Sequence, residues 1–354
     1  MKKILLPSWL VFLLLGLIPL ENSCNRKPFD GVLKAFPSVE VISPTDSVKL
    51  DDYDILMPDG IVVRNDRIFI SHSDGDDVLS LLEHGDRHAV FRRGRGPREF
   101  LEPTSLQING TQVNLFDKMR RLFISFDADS QDCKNVKIDT LAQITNLGAD
   151  GYSAPVYLYS VGTAFISAGY QPGYWYALVD AEGRILDGVG YVSFKGMDDF
   201  SDNENYVLHL NSYMAFHPDG DKGVCVMADA GVISLFEIRG NTLEEYYREI
   251  YSLPLVEGTK DPRYPILHNL PDSFQAFRAV DADETHIYAL YSGNKWTRDD
   301  RPAYECTHLL VFDWAGNTIK HYELSESINA FQIVGDQLYG VSMHPSSRLF
   351  IFQI

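Results

Sequence analysis

Cysteine is scarce in this chain: Cys24, Cys133, Cys225 and Cys306 are the four among 354 residues, and no two stand in a CxxC spacing. A disulfide-stapled scaffold is therefore not indicated, although one pair could join in an oxidising compartment. Positive charge is the second shortage. Lys and Arg number 31 against 49 Asp and Glu, giving a net charge of −18. Such a domain repels phosphate backbones, so nucleic acid is not an expected partner. Catalytic signatures are missing too: HExxH, the Walker loop, the EF-hand loop, GxSxG, the sialidase Asp box and the WD and kelch repeats do not occur. No disordered tail is visible.

The amino terminus does carry a signal. Lys2 and Lys3 precede ILLPSWLVFLLLGLIPL and then the polar ENSCN, the order of a bacterial secretory leader. Pro7, Ser8 and Pro19 interrupt the apolar run, which is short for a spanning helix. Ser23 and Cys24 resemble the end of a lipobox, while Glu21 stands where that pattern usually has Leu. Residues 1–23 are therefore read as a lipoprotein signal peptide, Cys24 as the lipidation site and 24–37 as a tether. The expected location is the cell envelope, lipid-anchored at the outer membrane on its periplasmic or surface face. Each buried methylene of the lipid would add roughly 0.8 kcal/mol to that hold.

From residue 38 onward the sequence reads as short antiparallel strands. THLLVFDWAGNTIKHYEL, AFQIVGDQLYGVSM and SSRLFIFQI alternate apolar and polar residues, with Gly, Asn, Asp and Pro at the breaks. The same rhythm recurs upstream in GIVVRNDRIFISHS, LQINGTQVNLFD with RRLFISFD and NVKI, VYLYSVGTAFISAGY and YMAFHPDGDKGVCVMA. VDAEGRIL and FDWAGNTI form the best internal repeat. The fold class is all-β: a six-bladed β-propeller of four-stranded antiparallel blades over residues 38–354. The carboxyl-terminal segment supplies three strands and lacks a fourth. A strand from 39–50 is expected to complete it, closing the ring with both ends of the chain.

The segment FRRGRGPREF, residues 91–100, resembles the F-x-x-G-x-G-P-G-E-F segment after the first blade of TolB-like six-bladed propeller lipoproteins of Bacteroidetes-type bacteria, relatives of the NHL-repeat propellers. Phe91, Gly94, Gly96, Pro97, Glu99 and Phe100 match, and Arg98 replaces a glycine. QLYGVSMHPSSRLFIFQI also resembles that family's closing segment. The resemblance implies the fold and leaves function open. Physically, GRGP demands a tight connection, and its amides together with Arg92, Arg93, Arg95 and Arg98 could hold an anion or a partner. The alternative is a structural corner in which the arginines pair with Glu99 and Glu102.

Other candidates follow from composition. Acidic clusters stand at Asp74, Asp76 and Asp77, at Asp198, Asp199, Asp202 and Glu204, and at Asp281, Asp283 and Glu284. The second is the candidate Ca²⁺ position, and otherwise no cofactor is expected. His72, His217, His268, His286 and His344 lie near strand ends, where ring geometry can bring several together. Tyr170, Tyr174, Trp175, Tyr176, Tyr264 and Trp296 are candidate aromatic contacts, Trp296 foremost because charged residues flank it. The leading reading is a non-catalytic, monomeric envelope propeller that binds a partner protein or glycan through its loop face. The alternative is a divalent-metal-dependent, lactonase- or lyase-like enzyme at the axial channel. Three or more Asp, Glu, Asn or His side chains converging in one central pocket would favour the enzyme.

Overall fold

A computed structural model describes residues 31–162, 164–171, 173–192, 211–253, 256–258, 267–269, 273–295 and 304–354. Six meanders of antiparallel strands make up six blades, spanning 58–93, 103–143, 154–190, 212–250, 277–328 and 330–353. The first strands of successive blades, Pro58–Arg64, Pro103–Asn109, Ala154–Val161, Ser212–Phe216, Phe277–Ala282 and Ala330–Val334, touch one another all the way round and enclose the axis. Every blade runs outward from this strand. The turn after each inner strand lies at one end of the ring, here the lower face; the connections between blades lie at the other, the upper face.

Local chemistry explains the turns. Asn65 and His84 take the left-handed conformation that opens tight hairpins, as do Gly110 and Gly335. The internal repeat is a repeated hydrogen-bond pattern. Oδ1 of Asp180 accepts from the amides of Glu182 and Arg184 at 3.1 and 2.8 Å. Oδ1 of Asp313 accepts from those of Ala315 and Asn317 at 2.9 and 2.8 Å. Gly183 and Gly316 follow at φ 86° and 87°. A Cβ on Gly316 would stand 2.5 Å from the Tyr247 ring. Gly316→Ala is therefore expected to cost about 1–3 kcal/mol, checked by denaturant titration against wild type.

Between the edges the chain buries strands on both faces. Trp175, Tyr176, Ala177, Leu178 and Val179 are all sealed, as are Val224, Cys225, Val226 and Met227. These are the near-continuous apolar runs of the sequence, and they pack blade against blade. TLEEYYREI is the outer strand Thr242–Ile250 of blade 4.

Closure occurs as expected. Pro44–Lys49 pairs antiparallel with Arg348–Gln353 and supplies the missing fourth strand of blade 6. A second amino-terminal strand, Val39–Ile42, adds to blade 5 in parallel with the stretch from His321 to Leu324. Residues 31–36, read from sequence as tether, are packed: Val32 and Phe36 are buried between blades 4 and 5. The folded unit thus begins ahead of residue 38. In blade 2 the fourth strand is Asp139–Gln143 rather than NVKI. Asp132 accepts from the amide and side chain of Asn135, which winds Cys133–Asn135 into a 3-10 turn instead. Cys133, Cys225 and Cys306 are free thiols.

Candidate functional site

The axial channel holds two chambers. Ile61, Leu106, Tyr159, Met214, Val280 and Phe331, one from each inner strand, line both and form a largely apolar ring between them. The lower chamber has a volume of about 750 Å³ and the upper one about 330 Å³. Three polar side chains of the lower chamber are occupied with structure, whereas Oδ1 of Asn114 is buried without a partner. Gln107 accepts the amide of Ser160 at 2.9 Å, Asp281 accepts that of Ile333 at 2.7 Å, and Gln332 accepts that of Val63. Each thus ties one inner strand to the next, capping backbone groups that have no sheet neighbour toward the axis. Burial pushes the Asp281 carboxyl up to about 6, against the two backbone amides that favour its charge.

Upper-chamber chemistry is different. Two residues before the apolar ring, Asp59, Tyr157, Arg278 and Asn329 come from four blades into one layer of the chamber lining. The Arg278 guanidinium lies over the rings of Tyr213 and Tyr304 at 5.6 and 5.1 Å and donates to the Tyr213 hydroxyl. Among the described residues no carboxylate pairs with it, and its Nε is sealed without a partner. Tyr157 stacks edge-on against Tyr213 at 5.5 Å. Asp59 accepts from the Ser71 hydroxyl at 2.6 Å. Desolvation by the surrounding protein raises the Asp59 carboxyl, while Ser71, Arg278 and His72 pull it back. Asn329 donates to the carbonyl of Pro58 at 2.8 Å, and its Oδ1 has no partner. Glu102, at the rim, is ion-paired with Lys118 at 2.5 Å.

A sequence profile of the TolB-like 6-blade propeller-like family matches residues 39–336. The chain belongs to this family. No curated protein matches it. Among solved structures, this TolB-like propeller is similar to a DUF4221-family member from Bacteroides vulgatus, at 8% identity and TM-score 0.52, covering 88% of this chain and 96% of that one. Regucalcin, a calcium-binding protein from Agrobacterium tumefaciens, gives 14% and 0.49 over 89% and 95% of the two chains. A gluconolactonase from Xanthomonas campestris gives 12% and 0.47 over 84% and 86%. At these identities the likeness is one of fold.

Within the TolB-like propeller, the FRRGRGPREF segment is the upper-face corner between blades 1 and 2. Phe91 and Phe100 are buried against each other at 4.6 Å and anchor the two ends of the corner in the core. The arginines do not pair with Glu99 or Glu102. Arg98 donates to the carbonyls of Val136 and Lys134 at 2.6 and 3.0 Å, and Arg93 to that of Leu101 at 2.8 Å. Glu99 instead accepts the Gly96 amide at 2.7 Å, folding the turn onto itself. Arg92 reaches only to 3.7 Å from Asp77, and Arg95 is exposed. These two are the cations the corner leaves to solvent.

Among the described histidines only His217 lines an axial chamber, the lower one, so no group of them converges on the axis. His72 is buried beside Ser80, His286 lies by Thr285, and His344 stands 4.0 Å from Glu305. His217, Asp219 and Asp221 form the one group of three His, Cys, Asp or Glu donors, among the described residues, whose ligand atoms come within 4.8 Å of one another. Both ring nitrogens of His217 are in use: Nδ1 accepts the Asp219 amide at 3.2 Å and Nε2 lies 3.1 Å from the Glu284 carbonyl. A ring so engaged has no lone pair left for a cation. Asp74 caps the amides of Leu56 and Met57, Asp77 pairs with Arg87 at 2.6 Å, and Asp283 caps those of Thr285 and His286. Trp175 and Tyr176 are core. Cys24, Asp198, Asp199, Asp202, Glu204, Tyr264 and Trp296 lie outside the described residues, and of His268 only the backbone is described.

A histidine pair of another kind lies under the amino-terminal segment. Nε2 of His321 is 3.0 Å from Nδ1 of His308, and Phe36 packs edge-on against His321 at 5.8 Å. Burial first, and His308 second, push His321 from 6.5 down to about 4. Across that window the unfolded imidazole binds a proton that the folded one refuses. The stability this group contributes is therefore complete above its unfolded value and is lost as pH falls toward 4. His321→Phe is expected to flatten the decline of unfolding free energy between pH 6.5 and 4; an unchanged slope would mean another group carries it.

Proposed function

We propose that the protein is a lipid-anchored envelope propeller that binds a partner protein or glycan through its upper face, without catalysing a reaction. The observation that carries this is a coincidence of place. The chain leaves the described blades at the upper face after Gly190, after Ile250 and after Tyr291, and the GRGP corner and the mouth of the Arg278 chamber share that face. Arg92 and Arg95 on the corner, and Trp296 in the third of those segments, are the proposed contacts.

Orientation supports the same reading. Ala35 accepts from Thr318 and Phe36 packs on Phe312, so the chain meets the body at the rim of blade 5. That rim adjoins Trp314, whose indole contacts His217 and Asp283 on the lower face. The seven-residue step from Cys24 to Gly31, where the described chain begins, can span at most about 25 Å. An anchor at Cys24 would then leave the upper face clear of the membrane.

The lower chamber meets the donor count set for the enzyme, with Asn114, Asp139, His217, Asp219 and Asp281 in its lining. The hydrogen bonds that engage His217 and Asp281, and the Arg278 charge above them, nonetheless weigh against a divalent-metal site at the axis. Asp59 is the one unpaired carboxylate on the described upper-chamber wall, and the Arg278 charge opposes a cation there. A lyase-like site would need a histidine beside tyrosine and arginine, and the described wall has none. The binding reading calls for no cofactor and works as a monomer. Tagged full-length protein captured from detergent-solubilised membranes, with the Cys24→Ala form as soluble control, tests it. A stoichiometric envelope component recovered with the anchored form is expected; protein recovered alone would overturn the reading.

A further inference from the structure

Arg278, half-buried in the chamber lining, poses an electrostatic problem that the described residues do not solve by themselves. A guanidinium stays charged at any relevant pH, and a buried charge is normally paired or fully hydrogen-bonded. Here its protein contacts are one hydrogen bond, to Tyr213, and two ring faces. Its Nε is unpartnered. The candidate counter-charge in the chamber lining, Asp59, accepts from the Ser71 hydroxyl and makes no ion pair with Arg278 among the described residues. Asn329, 3% exposed in the same layer, keeps a second orphaned atom, the acceptor Oδ1.

We infer that the upper axial chamber binds the carboxylate of a small sugar acid, with Arg278 as its counter-ion. The lining fits this class. Tyr157 and Tyr213 offer hydroxyls and ring faces of the kind that hold sugar rings. The guanidinium N–H groups of Arg278 other than the sealed Nε match a planar carboxylate. At about 330 Å³ the chamber takes one monosaccharide-sized ligand and excludes a folded partner. The apolar ring forms its floor, and the inferred entry is from the upper face. The inference rests on reading that chamber as a binding site, and it names what the site holds.

Glucuronate and glucose differ only in the carboxylate, so they isolate the claim. Calorimetric titration of the detergent-solubilised full-length protein is expected to show glucuronate binding and no measurable glucose binding. Arg278→Gln should weaken glucuronate by about tenfold or more, the loss of a charge-assisted contact. Asp59→Asn removes a competing carboxylate and should strengthen it. Should Arg278→Gln melt early, the Asp59→Asn gain and the glucuronate preference of wild type still decide. Equal affinity for glucose, tighter binding of inorganic phosphate, or glucuronate affinity unchanged in a natively melting Arg278→Gln would each overturn the inference. Partner capture that persists while glucuronate fails to bind would remove this inference alone; failure of capture strikes the proposed function.

Discussion

Protein beginning at residue 51 should show no cooperative unfolding transition, whereas protein beginning at residue 31 should melt like the full-length chain. The shorter form loses the closing strand Pro44–Lys49, and with it every ladder partner of one edge of Arg348–Gln353. It also loses Val39–Ile42 from blade 5 and three buried side chains, Val32, Phe36 and Leu50. Burial of each such side chain contributes about 1.5–3 kcal/mol, so the three alone approach the 5–15 kcal/mol that holds a typical domain together. An open ring further exposes a strand edge able to pair with other chains, so aggregation is the expected companion of the loss. Differential scanning calorimetry of the two truncations checks this. A normal transition in the form beginning at residue 51 would mean that the other blades hold the ring without its closure.

That closure was legible because the last three strands are strongly patterned and lack a partner, while SVEVI and DSVKL favour strands. What pattern could not assign was the sheet each joins: DSVKL lies in blade 6 and VEVI adds to blade 5 in parallel. The DxxG repeat was equally legible, since Asp and Gly there each perform a fixed backbone task. NVKI misled because β-branched residues suggest a strand, while Asp132 and Asn135 spend their side chains on a local turn. The axial site was hidden for a geometric reason. Asp59, Tyr157, Arg278 and Asn329 come from different blades, and no spacing in the chain records their meeting. One local signal existed: Arg278 interrupts the otherwise apolar start of AFRAVDA, where a charge has no evident solvent to face.

Trp175→Ala should cost about 3–5 kcal/mol, the range for removing a large aromatic from a closed core. Trp175 is fully buried among blades 3 and 4. It packs edge-on against Tyr176 at 5.3 Å, carries Arg248 over its face at 5.7 Å and donates Nε1–H to the Ser212 hydroxyl at 2.8 Å. Trp175→Phe keeps most of the volume and should lose markedly less. Denaturant midpoints at constant slope measure both. Had Trp175 been a surface contact, as an aromatic stretch beside polar loops allows, Trp175→Ala would leave stability within about 0.5 kcal/mol of wild type.

The central claim is that the upper axial face is the binding face, and site-specific photo-crosslinking in intact cells tests it most directly. A photoreactive residue in place of Lys118, at the mouth of the upper chamber, is compared with one in place of Asp219, on the lower rim. The account predicts a discrete crosslinked species from position 118 and none from position 219. A species from position 219 alone, or the same species from both, would contradict it.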